Sequence, residues 1–124
     1  MFNITITQTV NVTEEDIDDI MCSALEGGIC YWANSALVVG GYLGEYASEQ
    51  ISRGGSLIIY DAEEDKEYEL TRDKLLNGIK LAIQGCYFMD YEWFTGSKLD
   101  TCQIDAEVAD IIVQLALFNE VIYG

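Results

Sequence analysis

Apolar residues along this chain change their period several times, and each change predicts an element. From 2 to 12, Phe2, Ile4, Ile6, Val10 and Val12 alternate with polar neighbours, with a break near Gln8. Period-two alternation marks a half-buried strand, so a strand is expected there. Thr13 then stands as an N-cap, with Asp16 where a capping box carries Glu or Gln. Ile17, Ile20, Met21, Ala24 and Leu25 follow at the spacing of one helix face, and Gly27 and Gly28 close that helix. Residues 29–39 are apolar around Tyr31, Trp32 and Asn34; they fit a continued helix or a strand, with Trp32 expected in the core.

Residues 42–53 carry a second helical pattern, ended by Gly54 and Gly55. Residues 56–60 and 67–70 read as the strands of a hairpin around an acidic turn. Thr71 caps a helix that places Leu75, Leu76, Ile79, Ala82 and Ile83 together. Residues 85–101 show no clear period and are strongly aromatic. Asp105 caps a last helix over 106–118 with Val108, Ile111, Ile112, Leu115 and Phe118 in phase, and an apolar tail, VIYG, closes the chain. These elements predict an α+β fold: an antiparallel sheet of three or four strands with helices packed on one face. The 124 residues make a single domain, 1–124, with no linker or repeat. A domain of this size folds to about 6,600 Å² of surface and buries about two thirds of what the open chain exposes.

Charge changes the picture. Twenty-two acidic and six basic residues leave a net charge of −16. Binding a nucleic-acid backbone needs Lys and Arg to displace counterions, so direct nucleic-acid binding is excluded as an expectation, as is docking on an anionic membrane. The partners this charge attracts are basic: a basic protein surface, as in a nucleic-acid-binding groove or a basic enzyme, or a cationic small molecule. Averaged over the surface, the charge is one per ~400 Å², about fourfold more dilute than duplex DNA, so imitation of DNA requires clustering. Two clusters exist: Glu14, Glu15, Asp16, Asp18 and Asp19, and then Asp61, Glu63, Glu64, Asp65, Glu67 and Glu69, relieved only by Lys66. A helix N-terminus suits the first cluster and a solvated hairpin tip the second.

Catalytic chemistry finds little to work with. The chain has no histidine and no proline. Its four cysteines, at 22, 30, 86 and 102, form no CxxC pair, so neither a zinc site nor a Cys–His nucleophile is expected. No phosphate-binding glycine loop, dinucleotide fingerprint or EF-hand spacing occurs. The expectation is a protein that is not an enzyme and carries no metal and no cofactor. The first residues lack a basic signal-peptide region, and no apolar run approaches ~20 residues, so a cytoplasmic protein with reduced thiols is expected.

Two segments add candidate binding groups. In 86–94, CYFMDYEWF, aromatic residues and Met crowd together in the composition of an interface anchor, and they equally fit a lid lying across the sheet over the core. Glu14, Glu15, Asp18 and Asp19, with Glu63, Glu64 and Asp65, are the expected charged rim of a partner site, and Tyr91, Trp93 and Phe94 its desolvated anchor. In 42–53, a helix would align Tyr46, Glu49 and Arg53, and that guanidinium either pairs with Glu49 or holds an anion. Self-association is also expected, because Val121 to Tyr123 form an apolar terminus.

The stretches TEEDIDDIMCSALEGGICYW (13–32), YLGEYASEQISRGG (42–55), YDAEEDKEYELT (60–71) and DAEVADIIVQLALFNEVIYG (105–124) together carry a resemblance. They resemble a family of small acidic proteins from phages, prophages and mobile elements of Gram-positive bacteria, over about three quarters of the chain. The segment 85–101 looks like a variable insert in it. The resemblance implies an anti-defence role, like that of anti-CRISPR inhibitors, in which the protein blocks a nucleic-acid-binding immune effector of the bacterial host. The alternative it implies is an oligomeric sponge for an immune signalling nucleotide, held by Tyr46, Glu49 and Arg53.

Overall fold

The computed structural model describes residues 1–5, 9–85, 94–95 and 98–124. The chain order is α1 (Glu14–Ser23), β1 (Ala33–Val38), β2 (Leu57–Asp61), β3 (Glu67–Leu70), α2 (Arg72–Gln84), β4 (Phe94–Thr95), β5 (Lys98–Leu99) and α3 (Ala106–Phe118). β1, β2 and β3 form an antiparallel sheet in that order, and β4 pairs with β5. The α+β class and the three-stranded antiparallel sheet agree with the sequence pattern. No helix among the described residues is long and apolar enough to cross a membrane.

Local chemistry explains where the helices begin. Thr13 and Asp16 form the reciprocal capping box, each side chain accepting the other's backbone N–H at 3.0–3.1 Å. Thr71 Oγ1 accepts the Lys74 N–H, and Asp105 Oδ1 accepts the Val108 N–H at 2.9 Å. Each cap satisfies a donor that the first turn would otherwise leave without a partner. After α1 the helix widens into a single π turn (Ala24–Gly28). Of the two options open for 29–39, the strand forms, and Trp32 enters the core just ahead of it.

The core lies between one face of the sheet and the helices. Leu57, Ile59 and Leu70 from the strands meet Ile20 and Met21 of α1, Leu75 and Ile79 of α2, and Ile112 and Leu115 of α3. α3 is the centre of this arrangement, with eight buried residues among its thirteen. α2 crosses it at Gly78, where a Cβ would stand 2.5 Å from the Ile112 carbonyl oxygen and 2.9 Å from the Ala116 nitrogen. Only glycine permits that approach.

Two expected elements differ from the pattern. Of the strand expected over 2–12, residues 6–8 lie outside the described residues; among the others Met1, Phe2 and Ile4 are exposed, Val10 and Val12 pack against the core, and Asn11 bridges to Lys98 outside any named strand. Alternation fits any half-buried surface, but a strand also needs a neighbour to take its N–H and C=O groups. Residues 42–53 are not a helix beyond one 3₁₀ turn, Ala47–Glu49. The buried Gln50 amide there accepts the Leu43 N–H at 3.0 Å and donates to the Val39 and Gly41 carbonyls, holding the backbone in a loop.

Candidate functional site

The first acidic cluster occupies the opening turns of α1. Glu14 and Glu15 face solvent at the helix N-terminus, where the macrodipole favours anions. Asp16 serves the capping box. Asp18 accepts a 2.5 Å hydrogen bond from the Ser52 hydroxyl, and Asp19 accepts one of 2.9 Å from Thr101. Part of this cluster therefore ties α1 to the loops before β2 and α3, while Glu14 and Glu15 point outward.

The second cluster is the tip of the β2–β3 hairpin. Asp61, buried at the end of β2, accepts the Glu63 and Glu64 N–H groups at 2.7 and 3.1 Å on one oxygen and the Tyr123 hydroxyl on the other. These donors, the Tyr123 hydroxyl foremost, hold its carboxyl below the ordinary carboxylate range. Asp65 adopts a left-handed backbone, φ 52°, which completes the turn. Glu63, Glu64 and Asp65 are exposed, and Lys66 lies 3.0 Å from Glu64. Glu63, Glu64 and Asp65 follow the Asp61 end of β2, whereas Glu69 pairs with Ile58 near its start, where its carboxylate accepts from the Ser56 hydroxyl.

Tyr46, Glu49 and Arg53 are brought together, but by a turn. Glu49 Oε1 accepts the Glu45 and Tyr46 N–H groups at 2.9 and 3.0 Å, which lowers its pKa, and Arg53 approaches the other oxygen at 3.7 Å. Tyr46 lines a shallow depression with Cys22 and Glu26. Burial and the neighbouring Glu26 push the Cys22 thiol up, so it is a poor nucleophile. Tyr91 and Trp93 lie outside the described residues. So does the side chain of Phe94, whose backbone pairs with Leu99 in β4–β5.

Sequence reasoning missed the most ordered polar cluster. Asp110 of α3, 5 % exposed, accepts from Trp32 Nε1 at 2.7 Å, Tyr31 Oη at 2.5 Å and Gln114 Nε2 at 2.9 Å. Gln114, fully buried one turn later, accepts the Ile122 and Tyr123 N–H groups, both at 2.9 Å. Tyr123 stacks on Trp32 with centroids 4.8 Å apart and planes 3° from parallel. Burial and the Asp110 carboxylate push Tyr31 up to about 12, and Tyr123 is raised chiefly by Asp61. The apolar tail, the expected source of self-association, is thus folded back onto its own chain. The available signal was a pair of polar residues four apart inside an otherwise apolar helix.

Beside this cluster opens a concavity of about 570 Å³, walled by Tyr31, Glu107, Asp110, Ile111 and Tyr123. Its lining contains no Lys or Arg. Among the described residues, no group of three His, Cys, Asp or Glu side chains is placed to hold a metal. Compared with protein-family models, with curated proteins and with solved structures, the chain matches none.

Proposed function

We propose that this chain is a non-enzymatic binding protein of a mobile element that blocks a bacterial immune effector by covering its basic, nucleic-acid-binding surface. The observation that carries the reading is uncompensated charge. With a net charge of −16, the described residues form only two ion pairs, Arg53–Glu49 and Lys66–Glu64. Glu14, Glu15, Glu63 and Asp65 stand exposed on rigid turns whose geometry is set by capping hydrogen bonds. Such preorganised carboxylates steer a basic partner and set orientation, while exposed pairs add only about 0–1 kcal/mol each.

The nucleotide-sponge alternative draws less support. Arg53, its intended anion holder, already faces Glu49, and the concavity beside Tyr31 is lined by carboxylates. An anionic ligand is repelled there.

Affinity capture from lysates of defence-bearing bacteria tests the reading, using the wild-type chain and a Glu14→Lys, Glu15→Lys, Glu63→Lys, Glu64→Lys variant. The expected result is a basic nucleic-acid-binding protein retained by the wild type, released by salt or competing DNA, and lost with the variant. Capture that survives charge reversal, or recovery of a nucleotide from the purified chain, refutes it.

A further inference from the structure

The two faces of the three-stranded sheet are unequally covered. Leu57, Ile59 and Leu70 point into the core. On the other face the register sets Leu37 beside Ile58, and among the described residues no helix lies over them: Leu37 is 54 % and the adjoining Val39 43 % exposed. Beyond Val39 the loop continues with Tyr42, Leu43 and Tyr46, all more than half exposed.

β1 is also an edge. Among the described residues its only neighbour is β2. The Val39 N–H bonds to the Ser56 carbonyl, so in this register the odd-numbered residues bond across to β2. Ala36 and Val38 therefore turn their N–H and C=O groups outward. Natural sheets usually blunt such an edge with charge, a proline or a bulge that twists it away. Here the opposite edge, β3, carries Glu67 and Glu69; β1 has one register irregularity, between Ala33 and Ser35, but Ala36–Val38 beyond it pair in regular register, no charged residue occurs between Glu26 and Glu45, and the chain has no proline.

We propose that β1 is a self-association edge: β1 of one copy pairs antiparallel with β1 of a second copy about a two-fold axis near Ala36. The two sheets join into one of six strands, and the exposed Leu37 and Val39 of both copies form a shared apolar strip. A second copy is the occupant for two reasons. Antiparallel edge pairing about a two-fold axis is self-complementary, since the same residues serve both partners. In addition, two chains of charge −16 repel over most of their surfaces, and this charge-free stretch is where they can approach. A basic partner gains nothing at a patch that offers no carboxylate, so this contact is separate from the acidic patches.

Light scattering and sedimentation at low and high salt test the proposal. The wild type should show twice the 13.8 kDa of the single chain, and the dimer should tighten as salt screens the repulsion. That salt response is opposite in sign to the one expected for an acidic chain on a basic effector, so the two readings fail separately. Leu37→Glu, on the solvent face, places two like charges close to the axis and should weaken dimerisation at least tenfold with an unchanged circular dichroism spectrum. Val38→Pro removes an outward N–H and should do the same; if it unfolds, Leu37→Glu decides alone. A wild type that stays monomeric at every salt concentration, or a dimer that persists in Leu37→Glu, overturns the proposal.

Discussion

Replacing Gln114 by Leu tests whether the buried amide is what holds the end of the chain in place. The side chain is fully buried and works on both sides: its oxygen accepts two tail N–H groups at 2.9 Å, and its nitrogen donates to Asp110 at 2.9 Å. Leucine keeps most of the volume and loses these three bonds, together with the longer donations to Tyr31 Oη at 3.2 Å and to the Tyr123 carbonyl at 3.4 Å. A typical intramolecular hydrogen bond contributes about 1 kcal/mol net, and an abandoned buried partner costs about 1–3 kcal/mol. Ile122 is half exposed, so water can take up the released tail donors, and Asp110 keeps Trp32 and Tyr31. The expected loss is therefore about 2–3 kcal/mol, a fall in Tm of roughly 6–15 °C for a domain of this size. Urea unfolding gives the free energy, and carboxypeptidase digestion reports the tail, which should be trimmed faster once Tyr123 no longer lies on Trp32. A loss below about 0.5 kcal/mol, with the tail still protected, would show that ring stacking and the Asp61 contact suffice and that the amide is dispensable.

Ile112, fully buried on α3, should cost about 2–5 kcal/mol when cut to Ala, measured by urea unfolding. Gly78→Ala gains about 1 kcal/mol of helix propensity but drives a methyl group into the backbone of α3. Overpacking of about 1–3 kcal/mol should win, and thermal melts should show net destabilisation. Asp61, whose carboxyl is held low chiefly by the Tyr123 hydroxyl, adds stability above its unfolded pKa near 3.8, and that stability is lost as pH falls through the lower folded value. Tyr123→Phe should flatten this acid loss in melts taken from neutral pH down to pH 2–3. At the alkaline end, ultraviolet titration should show Tyr31 ionising late, near 12, with the fold losing stability as pH rises from 10 toward that value.

What the sequence determines by itself is what depends on neighbours a few residues away. The Thr13, Thr71 and Asp105 caps, the apolar phase of α1, α2 and α3 and the acidic hairpin turn all follow from contacts within one or two turns of backbone. The net charge needs no structure at all. Tertiary structure decides the rest, because each remaining feature depends on a partner far along the chain. Residues 2–12 alternate like a strand, yet among the described residues Asn11 makes an isolated bridge to Lys98 while Val10 and Val12 pack on the core, since alternation cannot show whether a sheet edge is open to receive them. The helical pattern of 42–53 loses to Gln50, whose side chain satisfies backbone groups seven to eleven residues back. Asp110 and Gln114 read as minor interruptions of an apolar helix until Trp32, Tyr31 and the tail arrive from the other end of the chain to meet them. The second acidic cluster, one charge run in the sequence, is divided by strand pairing: Glu63, Glu64 and Asp65 sit at the hairpin tip, while Glu69 pairs with Ile58 near the start of β2. Periodicity records what a segment can bury, and long-range pairing decides which surface it meets.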